Sequence, residues 1–199
     1  MSGTVVVFAK VPGKGIAKTR IAQSHGAETA ARVYKELLTA TASSVGDVEH
    51  HIAFTGSDRP GELMAVFPEA RSFFPQNGEN LGARLTAAFR YLYNRGYDGV
   101  CAVGCDCPWL SPDDCRAALR ALDQGNEVVI GPASDGGYYL VGCRHNALDV
   151  FTARQWGRSG LFQETMGIIS SRDYSFTLLR ELGDVDYMKD YQQWKAKSG

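Results

Sequence analysis

No long apolar stretch occurs in the 199 residues; the wholly apolar runs, Val5 to Ala9 among them, reach no more than five residues. A membrane helix needs about 20 such residues and a signal core at least about 7, so the sequence predicts a soluble, cytoplasmic chain with no membrane partner. An excess of charge is also missing. Twenty-one Lys and Arg stand against 22 Asp and Glu, a formal net charge of −1, which gives no basis for binding nucleic acid. Five cysteines, an odd number with no export signal, predict reduced thiols rather than a disulfide framework. Cys101, Cys105 and Cys107 crowd one segment, but their C-x₃-C-x-C spacing lacks the paired knuckles of structural zinc, and no histidine is near. They are expected as small buried residues at a strand end. The four histidines are scattered, and His50-His51, opening a strand, are expected on the surface. Repeats, low-complexity tracts and linkers are absent too. With 44% apolar and 22% charged residues, the chain reads as a single globular domain over residues 1–199.

What is present is an alternation of strands and helices. Thr4–Ala9, Ile52–Phe54, Ser72–Phe74, Gly99–Val103, Glu127–Ile130, Tyr138–Val141 and Phe176–Leu179 read as strands. Helices are expected from near Ala17, over Ala27–Ser43, Glu62–Phe67 and Leu81–Asn94, after Ser111-Pro112-Asp113, and over Leu161–Ser170 and Tyr187–Ala196. In the fourth of these, Leu81, Leu85, Ala88, Phe89 and Leu92 share one face. The alternation predicts an α/β fold, a mostly parallel sheet flanked by helices on both faces. Ligands of such sheets bind outside the carboxyl ends of the strands, which directs attention to the segment after each strand.

After the first strand comes Lys10-Val-Pro-Gly-Lys-Gly-Ile-Ala-Lys-Thr-Arg20, with Lys10, Lys14, Lys18 and Arg20 and no acid before Glu28. Gly13 and Gly15 let backbone N–H groups approach a ligand, and the next helix points its positive end there. This is the chemistry of a phosphate cradle; a solvated lysine-rich turn is the alternative. A P-loop is excluded, because aligning Lys18-Thr19 with its end puts Pro12 and Ala17 where both glycines belong. Asp106, in Gly104-Cys-Asp-Cys-Pro108, ends a buried strand and suits a hard divalent cation, or else caps the following turn. Asp135-Gly136-Gly137 is either a hairpin turn or a flat backbone surface for a sugar or base. Asp184 and Asp186, two apart in an extended segment, can converge with Asp106 on one cation, with helix capping by Asp186 as the alternative. Cations on one side and carboxylates on the other together suit a nucleotide polyphosphate carrying Mg²⁺. Trp109 and Trp156 either line an acceptor pocket or pack, and residues 154–160 have the composition of a mobile lid.

Phe8–Arg20, Gly78-Glu-Asn-Leu-Gly-Ala-Arg84, Gly104–Pro108, Gly131-Pro-Ala-Ser-Asp-Gly-Gly-Tyr-Tyr-Leu140 and Asp184-Val-Asp186 come in the same order as in a family of GT-A-like bacterial transferases. The chain resembles, over nearly its whole length, the glycosyltransferases associated with radical-SAM and selenodomain proteins. These lie within the Rossmann-like nucleotide-diphospho-sugar transferase superfamily. It is similar more distantly to 2-phospholactate and molybdenum-cofactor guanylyltransferases. It departs from the pattern at Cys105, where Ser or Thr is common, and at Lys10-Val-Pro12, which replaces a glycine-rich nucleotidyltransferase fingerprint. The resemblance implies Lys18 and Arg20 on phosphates, Asp106 and Asp186 on Mg²⁺ or Mn²⁺, and Leu81 to Arg84 beside the base. It places Asp135, Gly136 and Gly137 toward the acceptor or sugar. It implies a metal-dependent glycosyl- or nucleotidyltransferase acting on a nucleotide or nucleotide-sugar donor and a small-molecule acceptor. A non-catalytic nucleotide-binding module of the same fold is the alternative.

Overall fold

The computed structural model describes residues 2–13, 17–153, 156 and 160–197. Among these residues seven strands form one sheet in the order β3-β2-β1-β4-β6-β5-β7. They are β1 (Gly3–Lys10), β2 (His50–Thr55), β3 (Phe73–Pro75), β4 (Gly99–Gly104), β5 (Val128–Pro132), β6 (Tyr138–Arg144) and β7 (Phe176–Leu178). The helices are α1 (Thr19–His25), α2 (Ala27–Val45), α3 (Gly61–Val66), α4 (Leu81–Tyr93), α5 (Pro112–Asp123), α6 (Leu161–Ser171) and α7 (Met188–Lys197). All neighbouring strands are parallel except where β6 lies antiparallel between β4 and β5. The reversal has a local cause. Only residues 133–137 separate β5 from β6, too few for the dozen or so that a parallel crossover needs, so the pair closes as a hairpin.

The central strands are buried on both faces, which explains their continuous β-branched runs. In β1, Val5, Val7 and Ala9 pack with Tyr34 and Leu38 of α2, Leu63 of α3 and Leu122 of α5. Val6 points the other way, toward Leu85, Phe89 and Leu92 of α4 and Ile169 of α6. Burying one such Phe or Leu is worth roughly 2–3 kcal/mol. A 3-10 helix, His145–Thr152, follows β6 and sends Val150 and Phe151 into the same layer; no sequence pattern predicts it. A third cluster, Ile21, Ala30, Val33, Leu37 and Val185, fastens α1 and α2 to the segment before α7.

Two expectations change. Leu81, assigned to the packed face of α4, is 42% exposed, because it sits at the open first turn of the helix. His50 and His51 are buried rather than on the surface. His50 Nδ1 lies 2.9 Å from the Val48 carbonyl. His51 lies between Ser72 Oγ at 2.8 Å and the Tyr97 hydroxyl at 3.0 Å, and Tyr97 in turn donates to Glu49. With the Tyr97 proton committed to Glu49, His51 Nε2 donates to Tyr97 and Nδ1 accepts from Ser72. The five cysteines are free and buried, where burial was expected of Cys101, Cys105 and Cys107, and it pushes the thiol pKa up at each, to about 12 for Cys107, Cys115 and Cys143. Among the described residues no group of three or more His, Cys, Asp or Glu is arranged to hold a metal ion. No helix there is long and apolar enough to cross a membrane.

Candidate functional site

Strand β1 is flanked by β2 on one side and by β4 on the other. The loops leaving β1 and β4 therefore diverge, and an open α/β sheet has its ligand crevice where they part. A cavity of about 540 Å³ occupies this place, with Lys10, Lys18, Arg20, Leu81, Arg84 and Asp106 in its lining.

The basic loop is drawn into the crevice at Lys18. Its backbone is left-handed (φ 54°), a conformation that only one other described non-glycine residue, Asp173, adopts. Such a residue is strained by about 1 kcal/mol or more unless its surroundings hold it there. Here they do: the Lys18 ammonium donates to the Val185 carbonyl and forms an ion pair with Asp106. The Lys18 side chain is 4% exposed and that of Asp106 56%, so a buried cation faces a carboxylate open to the cavity. Asp106 is thus paired with a cation rather than capping its own turn. Two residues further on, Arg20 pairs with Asp186 and lies 5.3 Å from the ring centre of Tyr187. Asp186 does not cap α7 with its side chain; Asp190 Oδ2 instead accepts from the Asp186 and Tyr187 amides at 3.2 and 2.7 Å. The acidic segment is held to the strand end by Val185 N–H donating to the Asp106 carbonyl at 2.8 Å.

The sequence predicts cations on one side of a nucleotide polyphosphate and carboxylates on the other. The structure puts them in one crevice, but in direct contact. Lys10, Leu81 and Arg84 line the same cavity. Arg84 Nε donates to the Gly78 carbonyl at 3.0 Å, and Asn80 caps α4 by accepting from Ala83 N–H at 2.9 Å, so the Gly78–Arg84 motif builds one helix start. Gly78 has φ 139°, and a Cβ there would lie 2.8 Å from Ala83 carbon and Arg84 nitrogen. Gly13 is outside the cavity lining, and Lys14 and Gly15 lie outside the described residues.

Asp135, Gly136 and Gly137 form the β5–β6 hairpin turn, with Asp135 Oδ1 accepting from Gly137 N–H at 2.8 Å. Asp135 lines not the first cavity but a second, of about 410 Å³, together with Trp109, Asp184 and residues of α7; the two glycines line neither. Arg20 and Asp186 belong to both walls, so the two spaces meet at this ion pair. Asp184 faces the second cavity only. Its pKa rises to about 6, through burial first and then the nearby charges of Asp135, Asp186 and Asp106, with Lys18 opposing. Of the tryptophans, Trp109 lines the second cavity while also packing in the core, and Trp156 packs edge-on against Tyr138 at 6.1 Å. The remaining residues of the 154–160 segment, apart from Gly160, lie outside the described residues.

Sequence reasoning missed Tyr34 and Gln76. The Tyr34 hydroxyl accepts from Lys10 N–H at 2.8 Å and donates to the Lys10 carbonyl at 3.0 Å, pinning the end of β1; burial drives its pKa far up. It sits in mid-helix, where no signal marks it. Gln76 donates to the Ala53 carbonyl at 2.9 Å and comes directly after β3, so the strand-end rule would have found it.

The fold is that of the nucleotide-diphospho-sugar transferases. A protein of Desulfovibrio desulfuricans G20 described as a "putative nucleotide-diphospho-sugar transferase" superposes with a TM-score of 0.85 and 31% identity, over 94% of this chain and 84% of that one. The chain belongs to the family of uncharacterized proteins conserved in bacteria, DUF2064, whose model matches residues 38–158. More distant likenesses, of fold alone, include a CMP:2-keto-3-deoxy-manno-octonic acid synthetase complexed with CTP (TM-score 0.57, 14% identity, 100% of this chain and 98% of that one). Another is a Mycobacterium tuberculosis H37Rv protein in complex with manganese (TM-score 0.55, 17% identity, 97% of each chain). No curated protein matches the sequence.

Proposed function

We propose that this chain is a divalent-metal-dependent transferase. It takes a nucleotide or nucleotide sugar as donor, in the larger cavity, and passes part of it to a small-molecule acceptor. The observation that carries this reading is the meeting of Lys18 with Asp106 and of Arg20 with Asp186 in one crevice at the carboxyl edge of the sheet. Lys18 and Arg20, with Lys14 from the same loop, would neutralise donor phosphates; Lys10 would contribute at the rim. Leu81 and Arg84, in the wall of the same cavity, would lie beside the base. Two carboxylates on one rim fit Mg²⁺ or Mn²⁺. Mg²⁺ characteristically takes one or two carboxylates and completes its shell with water and substrate phosphate oxygens. Asp106 and Asp186 would hold the ion, which when bound would offset charge on the departing phosphates. The CTP and manganese of the two distant fold relatives support a nucleotide and a metal here by likeness alone.

The protein's own residues supply positioning and charge neutralisation, which is most of what such transfers need. Losing one contact of this kind typically costs about 3 kcal/mol of transition-state stabilisation, roughly a hundredfold in rate. Within DUF2064 we place the chain, by its ordered motifs, with the radical-SAM- and selenodomain-associated glycosyltransferases, as one cytoplasmic domain.

Asp106→Asn tests the site. A thermal-shift panel of nucleotides and nucleotide sugars with Mg²⁺ and Mn²⁺ should show metal-dependent stabilisation of the native protein. The variant should lose it while keeping its fold; unchanged affinity in the variant removes the metal role. Release of pyrophosphate or of a nucleoside diphosphate then separates nucleotidyl from glycosyl transfer.

A further inference from the structure

We propose that the second cavity binds the acceptor, and that this acceptor is an uncharged or cationic compound bearing hydroxyl or amino groups, not a phosphate ester. The inference rests on the donor reading of the first cavity and extends it to the chemistry of the adjoining space.

Its first support is place. The two cavities share Arg20 and Asp186, so a molecule in the second lies directly beside the phosphate end proposed for the first. Its second support is charge. Asp135, Asp184, Asp186 and Asp190 line the space against Arg20 and Lys189, four carboxylates against two cations. A metal shared with a donor diphosphate would bring about as much positive as negative charge to this junction, so the cavity stays acidic when the first is loaded. An anionic phosphate placed there meets like charge at close range, a repulsion that works strongly against wrong partners.

The third support is the hydrogen-bonding capacity left over. Asp190 is committed to two backbone amides at the start of α7, Asp186 to Arg20, and one oxygen of Asp135 to Gly137. Asp184, half-buried against the cavity, accepts no hydrogen bond among the described residues. A carboxylate in that state suits ligand O–H or N–H donors, which offset its desolvation. Trp109 adds an apolar ring to the wall, held from behind by Arg180, which donates to the Trp109 carbonyl at 3.2 Å and grips Asp114 with two hydrogen bonds at 2.7 and 2.8 Å. Carboxylates beside a flat aromatic surface form a site for a small polyol or amino sugar.

The test uses the full chain with Mg²⁺ and a nucleoside diphosphate and three probes of one skeleton: glucosamine, glucose and glucosamine 6-phosphate. Saturation-transfer NMR titrations should give glucosamine the highest affinity, about tenfold or more above its 6-phosphate, with glucose between them. Two exposed substitutions should move the ratio in opposite directions. Asp135→Asn should narrow the preference and Lys189→Glu should widen it. A 6-phosphate that binds as well as glucosamine, a preference that neither substitution moves, or no binding of any probe overturns the proposal. Nucleotide affinity, measured in the same samples, reports on the first cavity separately; its loss would sink the donor reading while leaving the sugar preference to be judged alone.

Discussion

Asp114 shows how much one side chain can carry. It accepts from the Ser111 backbone amide at 2.9 Å and from its hydroxyl at 2.6 Å, completing a reciprocal cap on α5, while holding the guanidinium of Arg180. Burial alone would raise its pKa, but the hydrogen bonds from Arg180 and Ser111 win and hold it below the usual carboxylate range. Asp114→Ala should therefore cost about 1–2 kcal/mol in urea denaturation, chiefly the lost cap, because the Arg180 side chain is 56% exposed and turns to water when its partner is removed. His51 gives a second expectation. Burial lowers its pKa to about 4, against about 6.5 in an unfolded chain. Between those values the unfolded state binds the extra proton. The His51 contribution to stability should be complete above pH 6.5 and fall as pH drops toward 4, by up to about 3 kcal/mol, opposed over the same range by Asp184, whose raised folded pKa works in the other direction. His51→Gln, unable to titrate, should lose that fall, so that the difference between the two profiles grows as pH drops from 6.5 toward 4; no such difference assigns the loss elsewhere. The burial of His50 and His51 was not legible beforehand. A polar pair at a strand start reads as surface, and for His51 only the partners Ser72 and Tyr97, 21 and 46 residues away, make burial tolerable.

Elements were far easier to read than their orientation. Strands and helices appear within a few residues of their expected bounds, because β-branched runs and helical spacing are local properties. The direction of β6 was left open, since Asp135-Gly136-Gly137 read either as a hairpin turn or as a ligand surface, although the five residues before it already exclude a crossover. The 3-10 helix at 145–152 lacks any periodicity to betray it, and packs through α4. That packing has a checkable signature at Gly82. Alanine in a helix is ordinarily better than glycine by about 1 kcal/mol. Here a Cβ would lie 2.4 Å from the Phe151 carbonyl and 2.6 Å from Trp156 Nε1. Gly82→Ala should thus destabilise, by about 1–3 kcal/mol, with a lowered Tm and a shifted tryptophan emission. A raised Tm would mean that the two helices do not meet as described.

For the whole molecule, the sequence foretold a sheet with a charged crevice because strand ends, cations and carboxylates can each be located one segment at a time. Which carboxylate belongs to which space could not be foretold. Asp184 and Asp186 are two residues apart, yet one faces the second cavity and the other both, since Val185 between them is buried and tied to Lys18 and Asp106. The linings of the two spaces have Arg20 and Asp186 in common. Arg20 and Asp186 are 54% and 35% exposed, and an ion pair so open to water is worth no more than about 1 kcal/mol. Exposed side chains in general exchange rotamers within nanoseconds, a motion that requires no strand or helix to shift. Stopped-flow nucleotide association should consequently rise linearly with concentration and show no plateau from a slow opening step. Two compartments divided by so light a door are in effect one reaction vessel with two loading ports.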